Sequence, residues 1–96
     1  MPVQPRHTTV VEEVHTPFGT LVREDYYRYP KGESNLYMLG ADGRVLWFAE
    51  RAESDDTYAN PLRLTKVGTV KCGSWNCFDC EIDLTTGRLI NATFTK

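Results

Sequence analysis

Helical periodicity is what this chain of 96 residues has least of. The nearest thing to a helical run, residues 49–58, carries no apolar stripe with which a helix could dock on a core, so helix-based architectures are excluded. No apolar stretch approaches the roughly 20 residues of a membrane span, and the opening MPVQPRHTTVVEEV lacks the apolar run of a signal peptide. The reading is therefore a cytoplasmic protein without a membrane partner. Cysteine is scarce and odd in number, three in all, unlike the dense, even count of a secreted disulfide scaffold, and reduced thiols are expected. Charge of one sign is also lacking: the formal net charge is -2, the pI is about 5.6, and the eleven basic residues are scattered. Binding by phosphate neutralisation needs clustered Lys and Arg, so no nucleic-acid partner is expected. The length leaves room for one domain with a modest core.

What is present is alternation with turn residues between. In residues 67–94 three alternating runs follow one another, an antiparallel meander. Phe78, Cys80, Ile82 and Leu84 fall on one face, and Asp79, Glu81 and Asp83 on the other. If Trp75, Asn76 and Cys77 form the connection, Ser74 opposes Phe78, Cys72 opposes Cys80 and Val70 opposes Ile82. A one-residue slip would mix polar and apolar faces. Residues 35–51 form a hairpin, because Asp42-Gly43 between two apolar runs supplies the positive φ a tight turn demands. In its second arm Val45, Trp47 and Ala49 share one side and Leu46 and Phe48 the other. Residues 8–15 alternate around Val10, Glu12 and Val14 as a strand ended by Pro17, and residues 18–29 are rich in β-forming types. Glu24 and Asp25 within the latter suggest an edge strand or a bulge. Residues 52–60 are acidic, aperiodic and precede Pro61, hence a long loop, and a short strand spans 62–65. The expectation is an all-β fold: a single small domain of about seven to eight antiparallel strands, as meander, sandwich or partly closed barrel, with essentially no helix. Residues 1–7 are read as a flexible leader and 8–96 as the β domain.

Two segments resemble each other, LYMLGADGRVLWFAE from Leu36 and CEIDLTTGRLINATF from Cys80. Both are similar to the strand-turn-strand signature of quinoprotein-type (PQQ-like) β-propeller repeats, through Gly43, Arg44, Val45, Leu46 and Trp47 in one and Ile82, Asp83, Thr86, Gly87 and Arg88 in the other. Gly40 stands where that signature has its first aspartate, and Asn91 where it has its second tryptophan. A propeller needs at least about four blades, more than this length holds. The arrangement Trp75, Ile82 to Arg88 and Phe94 to Lys96 also resembles small uncharacterised bacterial proteins ending in the same order of elements. These resemblances imply an antiparallel β-fold and carry over no cofactor, metal or catalytic residue.

Cys72, Cys77 and Cys80 stand as C-x4-C-x2-C, and with His7 or His15 they would complete Cys3His zinc coordination on paper. A regular strand points Cys77 and Cys80 to opposite faces, so the preferred reading makes Cys72 and Cys80 small buried core residues and Cys77 a turn residue. Cross-strand Cβ atoms lie about 4.5–5.5 Å apart, beyond the roughly 3.8 Å of a relaxed disulfide, so the pair is expected close but unbonded. Asp79, Glu81 and Asp83 read as a solvated face. Tyr26, Tyr27, Arg28, Tyr29 and Lys31 mix aromatic and basic groups as a single-strand nucleic-acid platform would. Glu24 and Asp25 offset that charge, so strand core plus edge is the reading there.

The functional expectation is a non-enzymatic protein-protein interaction module (inhibitor, immunity-like or adaptor), with Tyr37, Leu46, Trp47 and Phe48 as interface candidates and another protein or a second copy as partner. The alternative is a thiol-based zinc-binding or redox-responsive protein using Cys72, Cys77 and Cys80. A small hydrolase with an unrecognised site is a third.

Overall fold

In the computed structural model, which describes residues 3–95, the alternating runs become eight strands and no helix among the described residues. They are β1 (Val10–Thr16), β2 (Gly19–Glu24), β3 (Leu36–Leu39), β4 (Val45–Phe48), β5 (Arg63–Leu64), β6 (Thr69–Gly73), β7 (Phe78–Asp83) and β8 (Leu89–Phe94). Every strand pairs with its sequence neighbour, giving two separate antiparallel sheets in the orders β1-β2-β3-β4 and β5-β6-β7-β8. One apolar core joins them: Leu21, Leu36, Met38 and Ala49 from the first half meet Val70, Cys72, Cys80, Ile82 and Leu84 from the second. The result is an open sandwich, not a closed barrel. Met1, Pro2 and Lys96, parts of the expected leader and of the C-terminal resemblance, lie outside the described residues.

The register read for the meander is present residue for residue, with Cys72 opposite Cys80, Val70 opposite Ile82, and the Ser74 amide donating to the Phe78 carbonyl at 2.8 Å. The 36–48 hairpin forms as well, with Gly43 at φ +83°. Alternation fails at one place in the β3–β4 pair and at one in the β7–β8 pair. Leu39 faces Val45 while Met38 faces Trp47, so Leu46 is extra on its arm; Ile82 faces Leu89 while Glu81 faces Asn91, so Ile90 is extra on its own. These bulges flip what precedes them. Val45 therefore shares the outer face with Leu39 and Tyr37, not the core side with Trp47 as strict alternation implies.

One further expectation is corrected. The strand in 18–29 ends at Glu24, and β2 lies between β1 and β3, so it is no edge; the irregularity suggested there falls instead on β1, where the register shifts between Val10 and Glu12. Residues 25–29 turn away because the Asp25 carboxylate accepts the Tyr27 amide at 3.0 Å and the Tyr26 carbonyl accepts the Tyr29 amide at 3.3 Å. The acidic stretch 52–60 holds no strand or helix, in keeping with the loop reading, yet Asp56 and Tyr58 within it are buried. Asn35 makes that possible. Its side chain donates to the Glu24 and Tyr58 carbonyls at 2.7 and 2.8 Å and accepts the Tyr58 amide at 2.8 Å, satisfying backbone that a buried loop would otherwise orphan.

Each open seam of the sandwich carries a glutamate. On one side Glu12 of β1 accepts the Leu62 amide with both oxygens, at 3.0 and 3.1 Å, and Arg23 at 2.8 Å. On the other, Glu50 beyond β4 accepts the Leu89 amide of β8 at 2.8 Å while its own amide donates to the Gly87 carbonyl at 2.8 Å.

The outer face of the first sheet is capped by the N-terminal segment. The Glu24 carboxylate, fully buried, accepts the amides of Arg6 (2.7 Å), His7 (3.1 Å) and Thr8 (2.9 Å), and the Tyr37 hydroxyl. Burial opposes its ionisation, but these donors outweigh it and hold its pKa below the ordinary carboxylate value. Nearby, the Arg6 guanidinium grips Glu33 at 2.9 and 3.1 Å, and Tyr29 donates to the same carboxylate at 2.8 Å, which brings Glu33 down to about 2. Both carboxyls are depressed, so the stability they add is present above their unfolded value of 4.5 and is lost as pH falls. Thermal melts recorded from neutral pH downward should therefore decline below about pH 4.5, and Glu33→Gln should flatten the part of that decline running down to about pH 2.

Candidate functional site

The residues singled out in the sequence scatter over the molecule. The three thiols do not converge: Cys72 and Cys80 are buried in the core, and Cys77 is exposed in the turn at φ +72°. Cys72 donates to the Asn60 carbonyl at 3.0 Å, and burial pushes its thiol up to about 12; burial raises Cys80 as well. Neither is available as a thiolate near neutral pH. No group of three His, Cys, Asp or Glu able to hold a metal occurs among the described residues, and the Cys72, Cys77, Cys80 alternative is without geometric support. The carboxylates of β7 are occupied locally. Asp79 pairs with Arg63 at 2.7 Å, Glu81 accepts the Thr69 hydroxyl at 2.7 Å, and Asp83 holds the Thr85 amide at 2.8 Å.

The hairpin candidates divide. Tyr37 is buried with its hydroxyl on Glu24. Trp47 is half-buried, its Nε1 donating to the Leu84 carbonyl at 3.1 Å, so it joins the sheets. Leu46 and Phe48 stay exposed, at 56% and 38%, with the Arg6 guanidinium 4.9 Å from the centre of the Phe48 ring. The strand register also lines up Thr20, His15 and Glu13 at 3.2 and 3.5 Å, in the order hydroxyl, imidazole, carboxylate. The His15 side chain is 80% exposed. A hydrated imidazole with such long contacts does not activate a threonine hydroxyl, and the row is a consequence of strand pairing.

A cleft of about 610 Å³ opens at one end of the sandwich. Three turns build it: Tyr26, Tyr27, Arg28 and Lys31 from the β2–β3 connection, Asp55 and Thr57 from the long loop, and Trp75 and Asn76 from the β6–β7 turn. Tyr26 stacks on Trp75 with ring centres 5.0 Å apart and planes 26° from parallel. Tyr27 and Trp75 nevertheless remain 66% and 61% exposed. The non-glycine residues described with positive φ, Arg28 and Cys77, lie in these two turns.

Buried Asp56 and half-buried Arg51 hold these turns together. The Asp56 Oδ1 accepts the amides of Thr57 (2.8 Å) and Asn76 (3.0 Å), while its buried Oδ2 has no partner among the described residues. Arg51 Nη1 reaches the carbonyls of Lys31, Glu33 and Asp56 at 2.9, 3.4 and 3.3 Å. The aromatic-basic run 26–31, read as strand, is thus one wall of a preorganised cleft. The acids set against it are elsewhere, Glu24 under the N-terminal segment and Asp25 capping its own turn. The lining carries Arg28 and Lys31 with Asp55, and Glu53 borders it through the Asn76 side chain at 2.8 Å, so the charges of the cleft balance. Sequence reasoning missed Trp75, Asp55 and Thr57 as members, since only the tertiary fold brings them to the 26–31 run.

A family model described as "Domain of unknown function (DUF7957)" matches residues 10–94, from the first residue of β1 to the last of β8. The chain belongs to the DUF7957 family. No curated protein and no solved structure matches it. The DUF7957 unit thus comprises both sheets and all three turns of the cleft, while Arg6, His7 and Thr8 precede it.

Proposed function

We propose that this DUF7957 domain is a non-enzymatic protein-protein interaction module that engages its partner through the aromatic cleft. One observation carries the reading: Tyr27 and Trp75 are kept in water on turns that the fold fixes with buried Asp56 and Asn35 and half-buried Arg51. Exposed aromatics of this kind add nothing to the core, and rigid aromatic anchors are what interfaces use, because little entropy is lost when they are covered. The β4 edge with Leu46 and Phe48 is the second surface, favoured by its exposed apolar side chains.

A photo-crosslinking residue placed at Tyr27 in cells making the domain should yield a discrete covalent protein adduct. The same residue at Phe48 should not. An adduct only from Phe48 would move the interface to the hairpin, and none from either position would refute the module.

A further inference from the structure

We infer that β8 is a self-association edge: its outer backbone pairs antiparallel with β8 of a second copy, Thr93 meeting Thr93 on a twofold axis, so that two sandwiches share one continuous sheet. This interface does not depend on the cleft reading above. β8 ends its sheet, with β7 as its sole strand neighbour among the described residues. The Thr95 amide donates to the Cys77 carbonyl at 2.8 Å, so Thr95, Thr93 and Asn91 direct their backbone groups to β7. Ala92 and Phe94, the alternate residues, point their N–H and C=O out of the sheet, without a hydrogen-bond partner among the described residues. Only the start of this edge is closed, where Glu50 takes the Leu89 amide at 2.8 Å.

The other three edges are guarded against such pairing. β1 carries Glu12 and Glu13, which a second copy would meet with acids of its own; β4 is four residues long and bulged at Leu46; β5 has two residues. No charged residue and no proline stands between Leu89 and Thr95. What selects a second copy is that this strand is complementary to itself in charge and in shape. With Thr93 on the axis, Ala92 opposes Phe94 of the second copy, and the outward N–H and C=O groups of both residues close four hydrogen bonds. Phe94, 58% exposed although it shares the core side with Ala92, then gains the smallest side chain opposite and its own image on the diagonal. Phe78, its ring 5.6 Å from that of Phe94, continues the aromatic strip. Asn91 and Thr95, both uncharged, meet on the outer face. A one-residue slip would match Ala92 with a residue whose backbone is spent on β7. One strand pair lies at the small end of specific interfaces, so a reversible dimer is expected, half formed at about 10–100 µM.

Sedimentation velocity on the 96-residue chain from about 5 to about 500 µM should show monomer giving way to dimer. Thr93 is exposed, so Thr93→Lys and Thr93→Glu should melt with the parent. Each alone should dimerise at least about fivefold more weakly, because like charges meet on the axis. An equimolar mixture of the two should recover a dimer over the parent's concentration range. Deuterium uptake by the parent, which needs no variant, should slow about threefold or more across Ala92 to Phe94 from the bottom to the top of that range, and should stay unchanged along β1 and β4. A parent that is monomeric throughout, or a dimer indifferent to both substitutions, would overturn the proposal. A mixture that associates no better than the single variants would do the same, as would slowed uptake confined to another edge. Uptake at Ala92 to Phe94 that slows only when a different protein is added would replace the second copy with that partner.

Discussion

Glu24→Gln is expected to lower the melting temperature by roughly 15–20 °C, because the substitution preserves shape and removes the acceptor on which a buried cluster of donors converges. In the parent, one carboxylate satisfies three consecutive amides, Arg6, His7 and Thr8, and the buried Tyr37 hydroxyl. Glutamine presents an NH2 to donors that have nothing to accept it, so charge-assisted bonds are lost and a donor clash is added, together costing about 3–5 kcal/mol. That is a large part of the roughly 5–14 kcal/mol such a chain has in total. The same variant should expose the bond after Arg6 to trypsin, since the segment would no longer be held. Asp79→Asn, which loses only an exposed pair with Arg63, should stay within about 1 kcal/mol of the parent. Equal melts for the two variants would show that Glu24 does not anchor the N-terminal segment.

Gly87→Ala should destabilise the fold by about 3 kcal/mol or more, and Gly43→Ala by only about 1–2 kcal/mol. Both glycines have positive φ, +76° and +83°, so both variants bear the strain of a side chain in left-handed backbone. They differ in surroundings. A Cβ on Gly43 meets nothing within 4 Å, whereas one on Gly87 would sit 2.5 Å from Cε3 of Trp47. Trp47 would have to withdraw, giving up its bond to the Leu84 carbonyl and opening a gap between the sheets. In a Trp47→Leu background the excess cost of Gly87→Ala over Gly43→Ala should vanish, a coupling that denaturant melts of the four proteins would measure. An excess that persists there would place the clash elsewhere. This contact also gives the two similar hairpins a physical relation: the tryptophan of the first lies on the turn glycine of the second.

Where the cause of a feature is local, the sequence discloses it. The Cys72 and Cys80 pairing follows from keeping Val70, Cys72, Cys80 and Ile82 on one face, and the 36–48 hairpin from Asp42-Gly43 between apolar arms. Bulges are harder. Nothing in VLWF or LINATF marks Leu46 or Ile90 as the extra residue, and that choice depends on how each arm meets the other sheet. Glu24 resembles a surface acid until the Arg6 to Thr8 segment folds over it. Tyr58 and Asp56 sit in a stretch whose composition says solvent, and their burial depends on Asn35, more than twenty residues upstream. The cleft is the extreme case, since its three turns lie far apart along the chain; the aromatic-basic run 26–31 was visible, but its second wall was not.

The way the strands are ordered has a kinetic meaning. Each half of the chain zips up a sheet from successive neighbours, and the chain passes between the sheets once, through residues 49–62. The entropy of closing long loops, which slows sandwiches with interleaved strands, is therefore deferred to a single docking step. A molecule nicked at Ala52 to Ser54 would turn that step into a bimolecular one, with two meanders finding each other at a rate set by their concentration. The glutamates at the seams would then act as its latches, closing last.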